Sequence, residues 1–154
     1  MQNGNTHYKA SLPVLFIVLA LSCVLPVARA AAGPSVVGLW HVFYSEDGSP
    51  YFESFDQWHS DGLEYEVANA FGLSCQGVYK QRGDTVELFH TGWNYDSTGA
   101  LVGYFNETQT NVVARGGNTY NGTWDIKNYD LDGNFVSEDS GTLTATRLTV
   151  DTPP

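Results

Sequence analysis

The stretch FDQWHSDGLEYE, Phe55 to Glu66, decides the fold. It alternates along Phe55–Trp58, breaks at Ser60-Asp61-Gly62, and alternates again along Leu63–Glu66. A period of two places successive side chains on opposite faces of a strand. An Asp-Gly pair between two such runs favours a tight hairpin turn, because glycine accepts a positive φ without steric cost. The stretch therefore predicts two antiparallel strands joined at Asp61-Gly62. His59, Ser60 and Asp61 have the residue types of a hydrolytic relay. They are consecutive, however, so their side chains diverge where a triad must converge.

The same pattern continues on both sides. Runs rich in Val, Tyr, Phe, Trp and Thr span residues 36–44, 51–58, 63–70, 74–81, 85–94, 101–114, 119–129 and 135–150, with Gly, Asp, Asn and Ser between them. This reads as about eight strands and no helix. Such short connections suit antiparallel neighbours, since parallel strands need long crossovers. The last run lacks the Pro or Lys that would protect an open edge, which favours closure into an up-and-down barrel. An immunoglobulin-like sandwich is the alternative, but its Greek-key connections are longer than these. Gly141 predicts a bulge in the last strand.

Residues 1–30 read as a signal peptide: Lys9, an apolar run from Leu12 to Leu25, and Ala28-Arg29-Ala30 at the cleavage position. A retained membrane anchor is the alternative, although the run is shorter than the roughly 20 residues a spanning helix needs. The barrel domain is expected over residues 31–150, with a disordered tail at 151–154. The expected location is secreted or periplasmic, with no stable membrane insertion after cleavage. The full chain has 7 basic and 17 acidic residues; Lys9 and Arg29 leave with the leader, so the mature net charge is −12. An acidic domain repels phosphate backbones, which argues against nucleic acid as a partner. Cys23 leaves as well. Cys75 then has no cysteine to pair with, and the fold depends on its core.

Gly38-Leu39-Trp40 opens the first strand and Arg147 lies on the last. The G-x-W motif and the late basic residue resemble those of the lipocalins, and the likeness spans Val36 to Val150. It implies a small lipocalin-like (calycin) barrel in which the Trp and the Arg pack together and close the bottom. A guanidinium stacked on an indole is a physically sound plug.

Candidate site residues follow from the faces. On the second strand, Tyr51, Glu53, Phe55, Gln57 and His59 share one face, and Phe52, Ser54, Asp56 and Trp58 the other. The first set is expected to face inward, with His59 at the barrel mouth. Gln57, Tyr65, Trp93 and Cys75 are expected to line a pocket for a small hydrophobic or aromatic molecule, since such pockets combine aromatic walls with few polar groups. His59, His90 and Glu53 are the candidate acid–base groups for an enzyme of cyclase, isomerase or lyase type. His41, His59 and His90 form a candidate set for a transition metal, zinc or copper. Cys75 reads either as a reactive thiol or as a small buried side chain. A third reading is a non-catalytic interaction protein whose own aromatics fill the barrel.

Overall fold

A computed structural model describes residue 1, residues 33–70 and residues 73–152. The expected signal peptide, Met1 apart, lies outside the described residues. The strands are β1 (Gly38–Glu46), β2 (Ser49–Trp58), β3 (Leu63–Ala68), β4 (Ser74–Arg82), β5 (Thr85–Tyr95), β6 (Leu101–Val113), β7 (Thr119–Asp130) and β8 (Phe135–Arg147). Each pairs antiparallel with the next, and β8 returns to β1, giving a closed eight-stranded up-and-down barrel. This is the predicted fold class, and it is compatible with a lipocalin-like fold. Closure leaves no long sheet edge to protect.

The turns follow their sequences. Asp47 and Gly48 both have positive φ, 48° and 76°, as a two-residue turn between Glu46 and Ser49 demands. At the next hairpin, His59 N donates to Leu63 O and Gly62 N donates to His59 O, with Gly62 at φ 89°. The SDG stretch is thus a turn, as its composition predicts. Gly141 does not make a bulge: the β7–β8 register shifts instead between Asn128 and Tyr129. A Cβ at Gly141 would lie 2.0 Å from Ser45 O, so close backbone approach explains this glycine.

One end of the barrel is plugged. Arg147 stacks on Trp40, its guanidinium carbon 4.2 Å from the ring centre. Its three guanidinium nitrogens donate to the carbonyls of Gly117, Val37 and Ser35 at 2.6 Å each. Trp40 Nε1 donates to Val36 O at 2.7 Å. Gly38 has φ 142°, and a Cβ there would meet Arg147 Nη1 at 2.3 Å, so the glycine of Gly-x-Trp makes room for the guanidinium. Trp58 and Tyr79 pack edge to face at the same end, and Tyr79 OH donates to His59 O. The His59 turn therefore belongs to the closed end and not to the mouth.

The inward face of β2 is the reverse of the expected one. Ser54, Asp56 and Trp58 are buried, whereas Glu53, Phe55 and Gln57 are exposed. A register slip causes the reversal. Ser45 faces Pro50 but Phe43 faces Glu53, so β2 carries one residue more than β1 over this span. Without that extra residue Trp40 would face Phe55; with it, Trp40 faces Asp56. A one-residue slip exchanges the two faces of a strand.

Candidate functional site

The barrel interior has two unlike walls. β1, β7 and β8 contribute Trp40, Val42, Tyr44, Tyr120, Trp124, Leu143 and Ala145. β2, β3, β5 and β6 contribute the buried polar groups Ser54, Asp56, Glu64, Glu66, His90, Glu107, Gln109 and Asn111, beside Trp58, Val86, Leu88 and Val113 of the hydrophobic core. One register row runs Trp58, Glu64, Gly77, His90, Glu107 and Ile126 across six neighbouring strands. Directly opposed residues share a face, so this row places two carboxylates and an imidazole side by side.

His90 is the centre of the group and is 0% exposed. Its Nδ1 lies 3.3 Å from Glu64 Oε2 and 3.5 Å from Glu66 Oε2, and its Nε2 lies 2.7 Å from Glu107 Oε2. Gly77 opens the gap between Glu64 and His90. A Cβ at Gly77 would stand 2.6 Å from His90 Cβ and 2.9 Å from Glu64 Oε2. Glu107 is held from its own strand: Gln109 Nε2 donates to Glu107 Oε1 at 2.8 Å, and Asn111 Nδ2 donates to Gln109 Oε1 at 2.8 Å. Asp56 accepts from Ser54 Oγ at 2.6 Å and from Tyr120 OH at 3.0 Å, which links the polar wall to the aromatic one.

Burial changes the protonation of this cluster. Loss of solvent and the neighbouring carboxylates Glu66 and Glu64 hold Asp56 well above the usual carboxylate range. Glu66 is pushed up to about 7, chiefly by burial, against the opposing pull of His90. Burial also raises Glu64, opposed by His90. For His90 itself burial acts downward, but Glu107, Glu64 and Glu66 outweigh it and hold the imidazole well above its ordinary value. A carboxyl that exchanges its proton near neutral pH suits acid–base chemistry.

A cavity of about 350 Å³ lies at the open end. Phe52, Ala68, Leu73, Phe105 and Ile126 give it apolar walls, Tyr51, Asn94 and Asn128 stand among its polar lining groups, and Glu66, Glu107 and Cys75 also line it. Tyr51 stacks on Trp124 with ring centres 5.4 Å apart, and Phe52 stacks on Tyr44 at 4.0 Å. Cys75 is buried, and burial with the surrounding carboxylates drives its thiol far up. It is the small buried side chain of the two readings, since the thiolate is the nucleophilic form.

Of the sequence-derived candidates, His90 and Cys75 lie inside the barrel. Glu53, Gln57, Tyr65 and Trp93 lie on the outer wall, with Trp93 57% exposed. The register slip accounts for Glu53 and Gln57. Tyr65 follows because it pairs with Gln57, and Trp93 because it shares the face of Glu87, Phe89 and Thr91. The three histidines do not converge. His41 bonds Glu53 on the outside at 2.9 Å, His59 is in the closed-end turn against Tyr65, and His90 is inside. The groups missed by sequence reasoning are Asp56, Glu64, Glu66 and Glu107. Parity within a strand groups Glu64 with Glu66, but which face looks inward depends on register between strands, and acidic residues on alternating strands ordinarily mark the solvated face.

The chain was compared with protein-family models, with curated proteins and with solved structures, and none of them matches it.

Proposed function

We propose that the protein is a lipocalin-like binding barrel that takes a small, largely apolar molecule into the mouth cavity. The observation that carries this is the cavity itself: aromatic and aliphatic walls over a floor to which the buried cluster contributes Glu66 and Glu107, with Asp139 also among the lining residues. Sites of this size and lining suit a small ligand, with few polar groups setting its orientation. The floor would accept hydrogen bonds from a hydroxyl, amide or amine at the buried end of the ligand. Equilibrium titration with the neutral fluorophore N-phenyl-naphthylamine tests the reading. Saturable binding that falls at least about tenfold in Ala68→Trp supports it, since the indole would fill the mouth. Equal binding by a folded Ala68→Trp variant would sink it.

A second reading is an enzyme using the same cavity, favoured by Glu66, which both lines the cavity and exchanges its proton near neutral pH. The acid–base groups would then be Glu66 and His90 in place of His59 and Glu53. We also propose that the barrel works after export, outside the cytoplasm, with neither nucleic acid nor the membrane as its partner. An N-terminus at Ala31 in protein recovered from the medium or periplasm would support export; a retained Met1 would oppose it.

A further inference from the structure

We propose that Glu66, His90 and Glu107 bind one divalent first-row cation at the cavity floor, through His90 Nε2, with Glu64 as the carboxylate that orients the imidazole. The site does not depend on the ligand reading: it can hold whether or not an apolar molecule enters the cavity above it.

One ligand atom from each of Glu66, His90 and Glu107 lies within 4.8 Å of the other two. Around a tetrahedral ion with ligands at 2.0–2.1 Å, donor atoms stand about 3.4 Å apart; Glu107 Oε2 already lies beside Nε2, whereas Glu66 Oε2 lies 3.5 Å from Nδ1 and has to rotate toward Nε2 to complete the set. Among the described residues five buried side-chain atoms lack an aligned partner, and two of them, His90 Nε2 and Glu66 Oε1, belong to this set. Glu107 Oε2 is 2.7 Å from His90 Nε2, yet Nε2 makes no aligned hydrogen bond. Glu66 Oε1, on a residue 1% exposed that lines the cavity, has no partner either. Unpaired buried polar atoms are costly, and a cation would satisfy both.

The surroundings fit a ligand set. Glu64 Oε2 stands where it accepts a proton-bearing Nδ1, which leaves the Nε2 lone pair for a metal. Gln109 occupies Glu107 Oε1 and leaves Oε2 for coordination. Asp56, Glu64, Glu66 and Glu107 surround one imidazole, and among the described residues no lysine or arginine is buried in the barrel. A doubly charged ion would balance that excess. One imidazole and two carboxylates suit zinc, iron(II) or manganese(II) better than copper(I). The cavity would leave a further coordination position open to a small molecule, as catalytic sites do and structural sites do not.

Cobalt(II) alone is the probe. The purified protein, treated with chelator and desalted, is titrated with Co²⁺, and binding is read by visible absorption and by metal analysis after a second desalting. The expected result is one retained Co²⁺ per chain, displaced by Zn²⁺. Glu66→Gln and Glu107→Gln, near-isosteric changes checked for folding by near-ultraviolet circular dichroism, should each weaken binding about 100-fold or more. Glu64→Gln should weaken it about 10- to 100-fold with the stoichiometry kept, the effect of losing an outer carboxylate. His41→Ala, on the outer wall, should change nothing. Failure of the native protein to retain Co²⁺ overturns the proposal. So does unchanged binding in folded Glu66→Gln and Glu107→Gln, or loss of binding in His41→Ala. Fluorophore titration of the chelator-treated protein separates this outcome from that of the cavity reading.

Discussion

The two inner walls of the barrel are built on opposite principles. The aromatic wall of β1, β7 and β8 is closed by tilted and edge-on ring contacts, with Trp40 against Tyr120 at 4.7 Å and Tyr44 edge-on to Trp124 at 6.0 Å. Its polar atoms are used up: Trp40 Nε1 and Trp124 Nε1 both donate to backbone carbonyls. The polar wall of β2 to β6 holds four carboxylates and an imidazole out of water, and Glu64 Oε1, Glu66 Oε1 and His90 Nε2 stay without aligned partners. Stability alone would favour apolar side chains at those positions, because burying ionisable groups is expensive. The contrast teaches that two kinds of burial share one barrel: packing and backbone hydrogen bonds satisfy the aromatic wall, while the other keeps ionisable groups that the fold alone does not require.

Four substitutions sharpen or break that contrast, ordered by expected effect. Trp40→Ala empties the closed end of the aromatic wall and should cost about 3–5 kcal/mol in urea unfolding. A loss under about 1 kcal/mol would show that the plug is dispensable. Gly77→Ala drives a methyl group between Glu64 and His90 and should cost about 1–3 kcal/mol. It should also abolish cobalt retention; a normal site in that variant would break the link between the glycine and the cluster.

Asp56→Asn probes the polar wall through pH. The folded protein holds the Asp56 proton more tightly than the unfolded chain does, so this group's contribution is full below its ordinary 3.8 and is lost as pH rises through the folded value. Unfolding free energy of the metal-free protein should therefore fall with rising pH above about 4. Asp56→Asn should flatten that slope by on the order of 1 kcal/mol per pH unit; an unchanged slope would deny Asp56 its part. Smallest is Glu87→Gln, which removes the exposed Lys80–Glu87 pair on the outer wall. The urea midpoint should not move, since exposed pairs contribute little. A clear shift would mean that the outer wall matters more than its exposure suggests.

Much of the fold was legible because its signals are local. Alternation located eight strands to within three residues at each end. Asp47-Gly48 and Asp61-Gly62 set two turns through glycine's tolerance of positive φ. Gly38-Leu39-Trp40 with Arg147 pointed to the plug, whose stacking the structure contains. On β5 the shared face of Val86, Leu88 and His90 is the buried one. The site was less legible. Phe55 looked like a core residue beside Asp56, and only the extra residue in β2 between Phe43 and Ser45 of β1 turns Asp56 inward.

The residue types, their period of two and the glycines at the turns determined by themselves that this chain is an antiparallel all-β protein, since those preferences act within a few residues of one another. Which face looks inward, and that Glu64, Glu66 and Glu107 gather round His90, was decided only by tertiary structure. Register between strands far apart in sequence selects those neighbours, and one slipped residue is enough to exchange the solvated face for the buried one.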